Sequence, residues 1–329
     1  MPGATEADLY FSGVPRPVRL VRCAPLLKMA RDVFPTWPFR VAAPDPMVEP
    51  VVVVSRRRGE YRAEAPWMEE PIFADTPVAA CSGLVVDLVY AWLEANPPAL
   101  CLHCAAVEFA GRLVVFPNTN LAGKSLLAAR LMAEGRMCHG DDLVALTPDG
   151  EGMSFGVPPR LRLPLPGQER SAAEFVRSHG GAADARSRYL APSVPCLAPF
   201  AEKRPIGAFV ILERKENGPA ELVPADFIVG LRNVIHQNLM RRGGVVEVFD
   251  RSKRLMEEKP CWRLRYARLD EAVVLLRDAF AQETGRGFTG PGPEEPGPVV
   301  SATESIAPER PRARRSRRSP SAERFVRRS

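Results

Sequence analysis

The chain has 329 residues, 46% of them hydrophobic and 26% charged, the balance of a globular protein with enough length for one large or two medium cores. Its formal net charge of +6 is unevenly placed, because residues 281–329 hold ten Arg and six Glu. The rest of the chain is near neutral, which argues against a dedicated nucleic-acid-binding surface there.

Residues 1–8 are polar and carry no apolar secretory segment. No run of about 18 apolar residues is present, so cytoplasmic residence without a membrane span is expected. Residues 1–98 read as a smaller α+β region. Short strands are predicted at 18–21 and 51–54 between Pro-rich breaks, then an amphipathic helix over 84–94 with Leu84, Leu88 and Trp92 at helical spacing. Asn96-Pro97-Pro98 ends that helix.

Two apolar strands joined by a tight turn at Ala110-Gly111 come next. The first contains Cys101-Leu-His-Cys104, a C-x-x-C match. In a strand those two thiols point to opposite faces, and no second pair exists. The seven cysteines are therefore expected to act as small hydrophobes rather than as a disulfide framework or zinc site.

Residues 117–125 read Pro-Asn-Thr-Asn-Leu-Ala-Gly-Lys-Ser, between the apolar run 113–116 and a helix-like run from 126 that stops at Gly135. Strand, loop and helix in that order match a phosphate-binding P-loop, G-x-x-x-x-G-K-[ST], with Asn118 at the first glycine. Asn118, Thr119, Asn120, Leu121, Ala122, Gly123, Lys124 and Ser125 would surround the phosphates. Backbone N–H groups and the helix dipole hold such a ligand. Lys124 would reach the β- and γ-phosphates and Ser125 would ligate Mg²⁺. Asn118 is expected to stand in for glycine because Asn enters the left-handed region more readily than most residues.

After Gly135, the residues Gly140-Asp141-Asp142 stand between two short apolar segments, before a turn at 147–150. Adjacent carboxylates close behind a P-loop helix can divide two tasks. One holds Mg²⁺, and the other, its pKa raised by the first, takes a proton from an attacking hydroxyl.

The order Leu-His-x-Ala-Ala-Val (102–107), turn, apolar strand, Gly-Lys-Ser, helix, Gly-Asp-Asp, apolar strand resembles the C-terminal kinase domain of the HPr kinase/phosphorylase-like proteins, as found in divergent bacterial members. The match is clearest over 100–146 and weaker through 156–164, 206–212 and 262–266. The resemblance implies an α/β P-loop kinase domain with a mixed sheet and flanking helices, spanning 99–283. It implies transfer of the γ-phosphoryl group of ATP, with Mg²⁺, to a serine-type hydroxyl on a protein, peptide or small molecule. It places His103, Lys124, Asp141 and Asp142 in the catalytic set, Asp141 at proton transfer, and Ser125 and Asp142 at the metal. It also raises the expectation of a homo-oligomer.

Three departures accompany the match. Asn118 and Leu121 replace glycines of the usual loop, and Leu126 comes after Ser125 where the kinases carry an acidic residue. The later signature associated with phosphorolysis has no convincing copy here. These departures favour a plain kinase, with a non-catalytic nucleotide-binding, sensing or scaffold protein of the same fold as the alternative.

Arg160 and Arg162 alternate on one strand face, either to stabilise phosphoryl charge or to face water. The polar stretch 171–195, broken by Gly180-Gly181, is expected as a loop, solvated or closing over the acceptor site through Arg186, Arg188 and Tyr189. A helix is predicted over 226–240, with His236 as a packed polar residue. Residues 284–329 turn Pro/Gly-rich and then Arg-rich, a composition expected to be disordered and able to touch anionic partners.

Overall fold

Alternating burial sets the N-terminal strands. The computed structural model describes residues 6–118, 122–167, 169–239, 244–257 and 259–281. Strand β1 (Glu6–Phe11) buries Ala7, Leu9 and Phe11, and β2 (Val18–Val21) buries Val18 and Leu20. Helix α1 (Ala24–Val33), β3 (Phe39–Ala42), β4 (Val52–Arg57), β5 (Glu60–Glu64), β6 (Ile72–Ala74) and α2 (Pro77–Ala95) complete this part. The sheet runs β3-β1-β2-β4-β5-β6, antiparallel except for the β2–β4 pair.

Helix α2 begins well before the predicted start. Thr76 caps it by accepting the Ala79 N–H at 3.0 Å, and Pro77 occupies the first turn. Nor is α2 amphipathic. Val78, Cys81, Val85 and Val89 are buried along with Leu84, Leu88 and Trp92, in a core that also takes in Cys101, Ala145, Met153 and Phe155. Among the described residues, α2 is the one helix long and apolar enough to cross a membrane by length and composition, and 61% of that window is buried inside the protein.

The chain continues with β7 (Leu100–Leu102), β8 (Ala105–Phe109), β9 (Arg112–Phe116), α3 (Lys124–Met132), β10 (Cys138–Gly140), β11 (Val144–Leu146), β12 (Glu151–Ser154) and β13 (Arg160–Arg162). Then come α4 (Arg170–Ser178), β14 (Gly180–Ala183), β15 (Ser187–Leu190), β16 (Lys203–Arg214), β17 (Glu221–Pro224), α5 (Phe227–Gln237), α6 (Val245–Glu257), β18 (Cys261–Tyr266) and α7 (Leu269–Phe280). The larger sheet has nine strands, in the order β10-β8-β9-β16-β12-β11-β7, with β18 on β16 and β17 on β18. The fold is therefore mixed α/β with mixed sheets and flanking helices.

Strand direction decides which loops share an end of this sheet. β9 and β18 both run parallel to β16. β10 is antiparallel to β8, and β8 is antiparallel to β9, so β10 points the same way. The β8–β9 turn uses left-handed Ala110 (φ 46°) and Gly111 (φ 74°), as a tight two-residue hairpin requires. One face of the sheet packs on α3, α4 and α7 through residues such as Phe116, Leu127, Phe175 and Val273. The other packs on α5 and α6 through Leu231, Val234 and Met256. Cys101 and Cys104 do point into different cores, and all seven cysteines are free thiols.

The stretch 171–195 is not a loop. It forms α4 and the hairpin β14–β15, which joins β13 in a three-stranded sheet. Asp184 fixes the hairpin turn, accepting the N–H groups of Arg186 and Ser187 at 2.8 Å each, while Thr76 donates to its other oxygen at 2.7 Å. Tyr189 is buried against Ser82, and Arg186 pairs with Asp75. In the α5 region Asp226 caps the helix through the Ile228 N–H at 2.8 Å, and His236 is exposed rather than packed. The tail, 284–329, lies outside the described residues, as do Thr119, Asn120 and Leu121.

Candidate functional site

Strand β9 ends at Phe116, and the chain bends so that the Asn118 N–H meets the Phe116 carbonyl at 3.0 Å. Asn118 does not take the left-handed backbone expected of a glycine substitute. It is buried, and its side-chain amide donates to the Leu212 carbonyl and accepts the Leu212 N–H, both at 2.8 Å. The amide thus prolongs the β9–β16 ladder where backbone pairing stops, a task glycine cannot perform. Gly123 is the residue that needs left-handed freedom, with φ 90°. A Cβ there would also lie 2.9 Å from the Tyr266 hydroxyl.

Gly123 has no side chain with which to cap α3, so the first-turn N–H groups face the loop, as an anion site requires. Lys124, 6% exposed, donates from Nζ to the Asn118 carbonyl at 2.6 Å. Burial pushes its ammonium below the usual lysine range, against the pull of Asp141 and Asp142.

The turn from β10 into β11 carries the acidic pair. A Cβ on Gly140 would stand 2.5 Å from the Leu143 carbonyl, so the tight approach that places Asp141 demands glycine. Asp141 is 3% exposed; Oδ2 accepts the Arg160 N–H at 3.3 Å, and Oδ1 is buried without a hydrogen-bond partner of ordinary geometry. Burial, then the neighbouring Asp142, push its carboxyl up to about 7, with Ser125, Lys124 and the Arg160 N–H opposing. The Asp142 side chain is 41% exposed, with His103 Nε2 at 3.5 Å and an Arg160 nitrogen at 3.8 Å. Burial raises its carboxyl, but His103, Arg160 and Lys124 outweigh it and hold Asp142 below the usual range. Two adjacent carboxylates are driven in opposite directions.

His103, Asn118, Ala122 to Ser125, Asp141 and Asp142 therefore gather at one end of the sheet. A residue that sequence reading missed ties them together. Gln237, buried at the end of α5, accepts the His103 N–H with its backbone carbonyl at 2.8 Å. With its side-chain nitrogen turned inward it donates to the His103 carbonyl at 3.2 Å and the Asn118 carbonyl at 3.1 Å. No spacing signal marks a glutamine so distant in sequence. Arg214 and Tyr266, at the ends of β16 and β18, also border the loop: the Tyr266 hydroxyl donates to the Ala122 carbonyl at 3.3 Å.

Among the described residues no group of three or more His, Cys, Asp or Glu forms a metal cluster. Mg²⁺ in phosphate sites uses one or two carboxylates, phosphate oxygens and water, and the half-exposed Asp142 carboxyl and the Ser125 hydroxyl fit that donor chemistry. No protein-family model matches the sequence, and no curated protein is significantly similar to it.

Proposed function

We propose that the protein is an ATP-dependent phosphotransferase that moves the γ-phosphoryl group to a serine-type hydroxyl on a protein, peptide or small molecule. The observation that carries this is the place of Asp141: a buried carboxyl, pushed up to about 7 by burial and by Asp142, which is itself held below the usual range, at the head of a helix that begins Gly-Lys-Ser. A base that titrates near neutrality suits proton abstraction from a hydroxyl. The acceptor O–H gives its proton to Asp141, the acceptor oxygen bonds the γ-phosphorus, and the bond to the β-bridging oxygen breaks, leaving its electron pair on ADP. Lys124 offsets charge on the β- and γ-phosphates. Ser125 and Asp142 would hold Mg²⁺, which supplies further charge neutralisation when bound. His103 and Arg160 keep Asp142 ionised and in place.

Phosphate transfer from MgATP to hydroxyl acceptors, serine peptides first, tests the reading. Lys124→Ala is expected to lose nucleotide binding, and Asp141→Asn to bind MgATP while losing transfer. Wild-type turnover in both variants overturns the mechanism.

A second reading, nucleotide binding without transfer, is favoured by two details. Lys124 is folded onto the loop carbonyl, and buried Leu126 occupies the position of an acidic residue in the kinases that the chain resembles. Calorimetry that finds MgATP binding with no transfer to any acceptor selects it.

A further inference from the structure

We infer that Arg214, held by Glu169 and backed by Tyr266, is the seat for the nucleobase of the bound nucleotide. This rests on the nucleotide-binding reading above and extends it to the other side of the loop. Strand order gives the direction. Asp141 comes after β10, the loop after β9, and Arg214 and Tyr266 end β16 and β18, in the spatial order β10, β8, β9, β16, β18. The four strands that end in these residues point the same way. Asp141 and Arg214 therefore stand on opposite sides of the loop. A phosphate chain whose transferable end meets Asp141 runs its nucleoside end over β16 and β18, in the crevice outside the strands' carboxyl ends where α/β sheets bind ligands.

What waits there is a guanidinium over an aromatic ring. Tyr266 lies at the bottom, fully buried, its hydroxyl on the Ala122 carbonyl at 3.3 Å. The Arg214 guanidinium lies over it, 5.7 Å from the ring centroid. Glu169, itself buried beside the first turn of α4, accepts a hydrogen bond from Arg214 Nη2 at 2.9 Å and holds the guanidinium in place. The Arg214 side chain is 31% exposed, so one side of the pair remains open. A planar guanidinium stacks on aromatic rings, which a lysine ammonium does not do in the same way. The loop ties phosphate binding to this pair through Gly123, whose missing Cβ leaves room for the Tyr266 hydroxyl.

The test is calorimetry of two ligands, ATP and inorganic triphosphate, each with Mg²⁺, on the full chain. Wild type is expected to bind ATP about tenfold or more tighter than triphosphate. Arg214→Lys, which keeps a cation beside Glu169, is expected to remove most of that preference and leave triphosphate affinity unchanged. The double variant Arg214→Ala/Glu169→Gln, which leaves no buried charge unpaired, is expected to do the same, with thermal unfolding confirming its fold. Equal weakening of both ligands assigns Arg214 to the phosphates and overturns the inference, as does an unchanged preference. Wild type that binds triphosphate with no preference for ATP overturns this inference alone. Wild type that binds neither overturns the nucleotide reading with it.

Discussion

Asp8 and Asp141 are both buried carboxylates, one in each large sheet region, and their surroundings differ sharply. Asp8, 0% exposed, meets Arg19 through two parallel bonds at 2.8 and 2.9 Å and accepts the Asp45 N–H at 3.3 Å. Arg19 Nη2, already on Asp8, is shared with the Asp45 and Val48 carbonyls, at 2.7 and 3.1 Å. Both Asp8 oxygens are answered, and a bidentate pair of this kind serves structure. Asp141 has a single backbone donor on Oδ2; the Ser125 hydroxyl acts on the carboxyl, and Oδ1 has no partner of ordinary hydrogen-bond geometry among the described residues. A buried polar atom left unpaired lowers stability, and such unsatisfied positions concentrate where a ligand or a reaction supplies the missing partner.

The largest expected effect breaks the open member of the pair. Asp141→Asn keeps size and removes the base, so phosphoryl transfer should fall by about 10²- to 10⁴-fold while MgATP still binds. Steady-state transfer assays and calorimetry together check this, and a rate within tenfold of wild type moves the base elsewhere. The matching cut in the closed member is Arg19→Ala, which strands the Asp8 carboxylate. Removing one partner of a buried pair costs about 3–5 kcal/mol, read from the urea midpoint at constant slope. A loss under 1 kcal/mol would place Asp8 in contact with water after all.

The two carboxylates of the site itself predict a pH signature. Asp141 holds its proton up to about 7 in the folded state, against a usual value of 3.8. Between those values the folded protein binds more protons than the unfolded chain, so this contribution to stability is full below 3.8 and is lost as pH rises through about 7. Asp142, shifted downward, acts in the reverse sense and loses its contribution as pH falls. Transfer needs ionised Asp141, so its rate should rise through about pH 7, over the same interval in which the Asp141 contribution to stability declines. Denaturation midpoints from pH 4 to 8 should fall less steeply in Asp141→Asn than in wild type; parallel profiles contradict the raised pKa.

The parts of this arrangement that are legible in the sequence are those encoded locally. Residues 112–135 announce strand, loop, helix and stop through apolar spacing and two glycines, and the structure places β9, α3 and the Gly135 turn (φ 82°) there. Gly140-Asp141-Asp142 is legible as a junction for the same reason. The hairpin β14–β15 is not, because Asp184 holds it by bonds to its own turn and to Thr76, and polar residues bonded that way look the same in sequence as solvated ones. Asn118 misleads for a related reason: residue type suggests its φ, whereas its side chain is bound to Leu212, 94 residues away. Gln237 and Arg214 reach the loop only through tertiary packing, which local periodicity does not encode.

The smallest expected effect asks whether the closed region acts on the open one. Thr76 accepts the Ala79 N–H as the α2 cap and donates to Asp184, which holds the hairpin beside β13 and hence beside Arg160. Thr76→Val removes both bonds with little change of volume. Loss of a cap costs about 1 kcal/mol, and Asp184 keeps the Arg186 and Ser187 N–H groups, so its turn should survive. Stability should therefore drop by about 1–2 kcal/mol with transfer within about twofold of wild type. A tenfold fall in transfer at unchanged MgATP affinity would instead make Thr76 a positioning residue, acting through the hairpin on Arg160 and so on the ionisation of Asp142. Repeating the assay in Ser82→Ala, which removes the neighbouring bond to Tyr189 at 2.9 Å, separates the two cases: a general loosening of the hairpin lowers the rate in both variants, whereas a path specific to Asp184 lowers it in Thr76→Val alone.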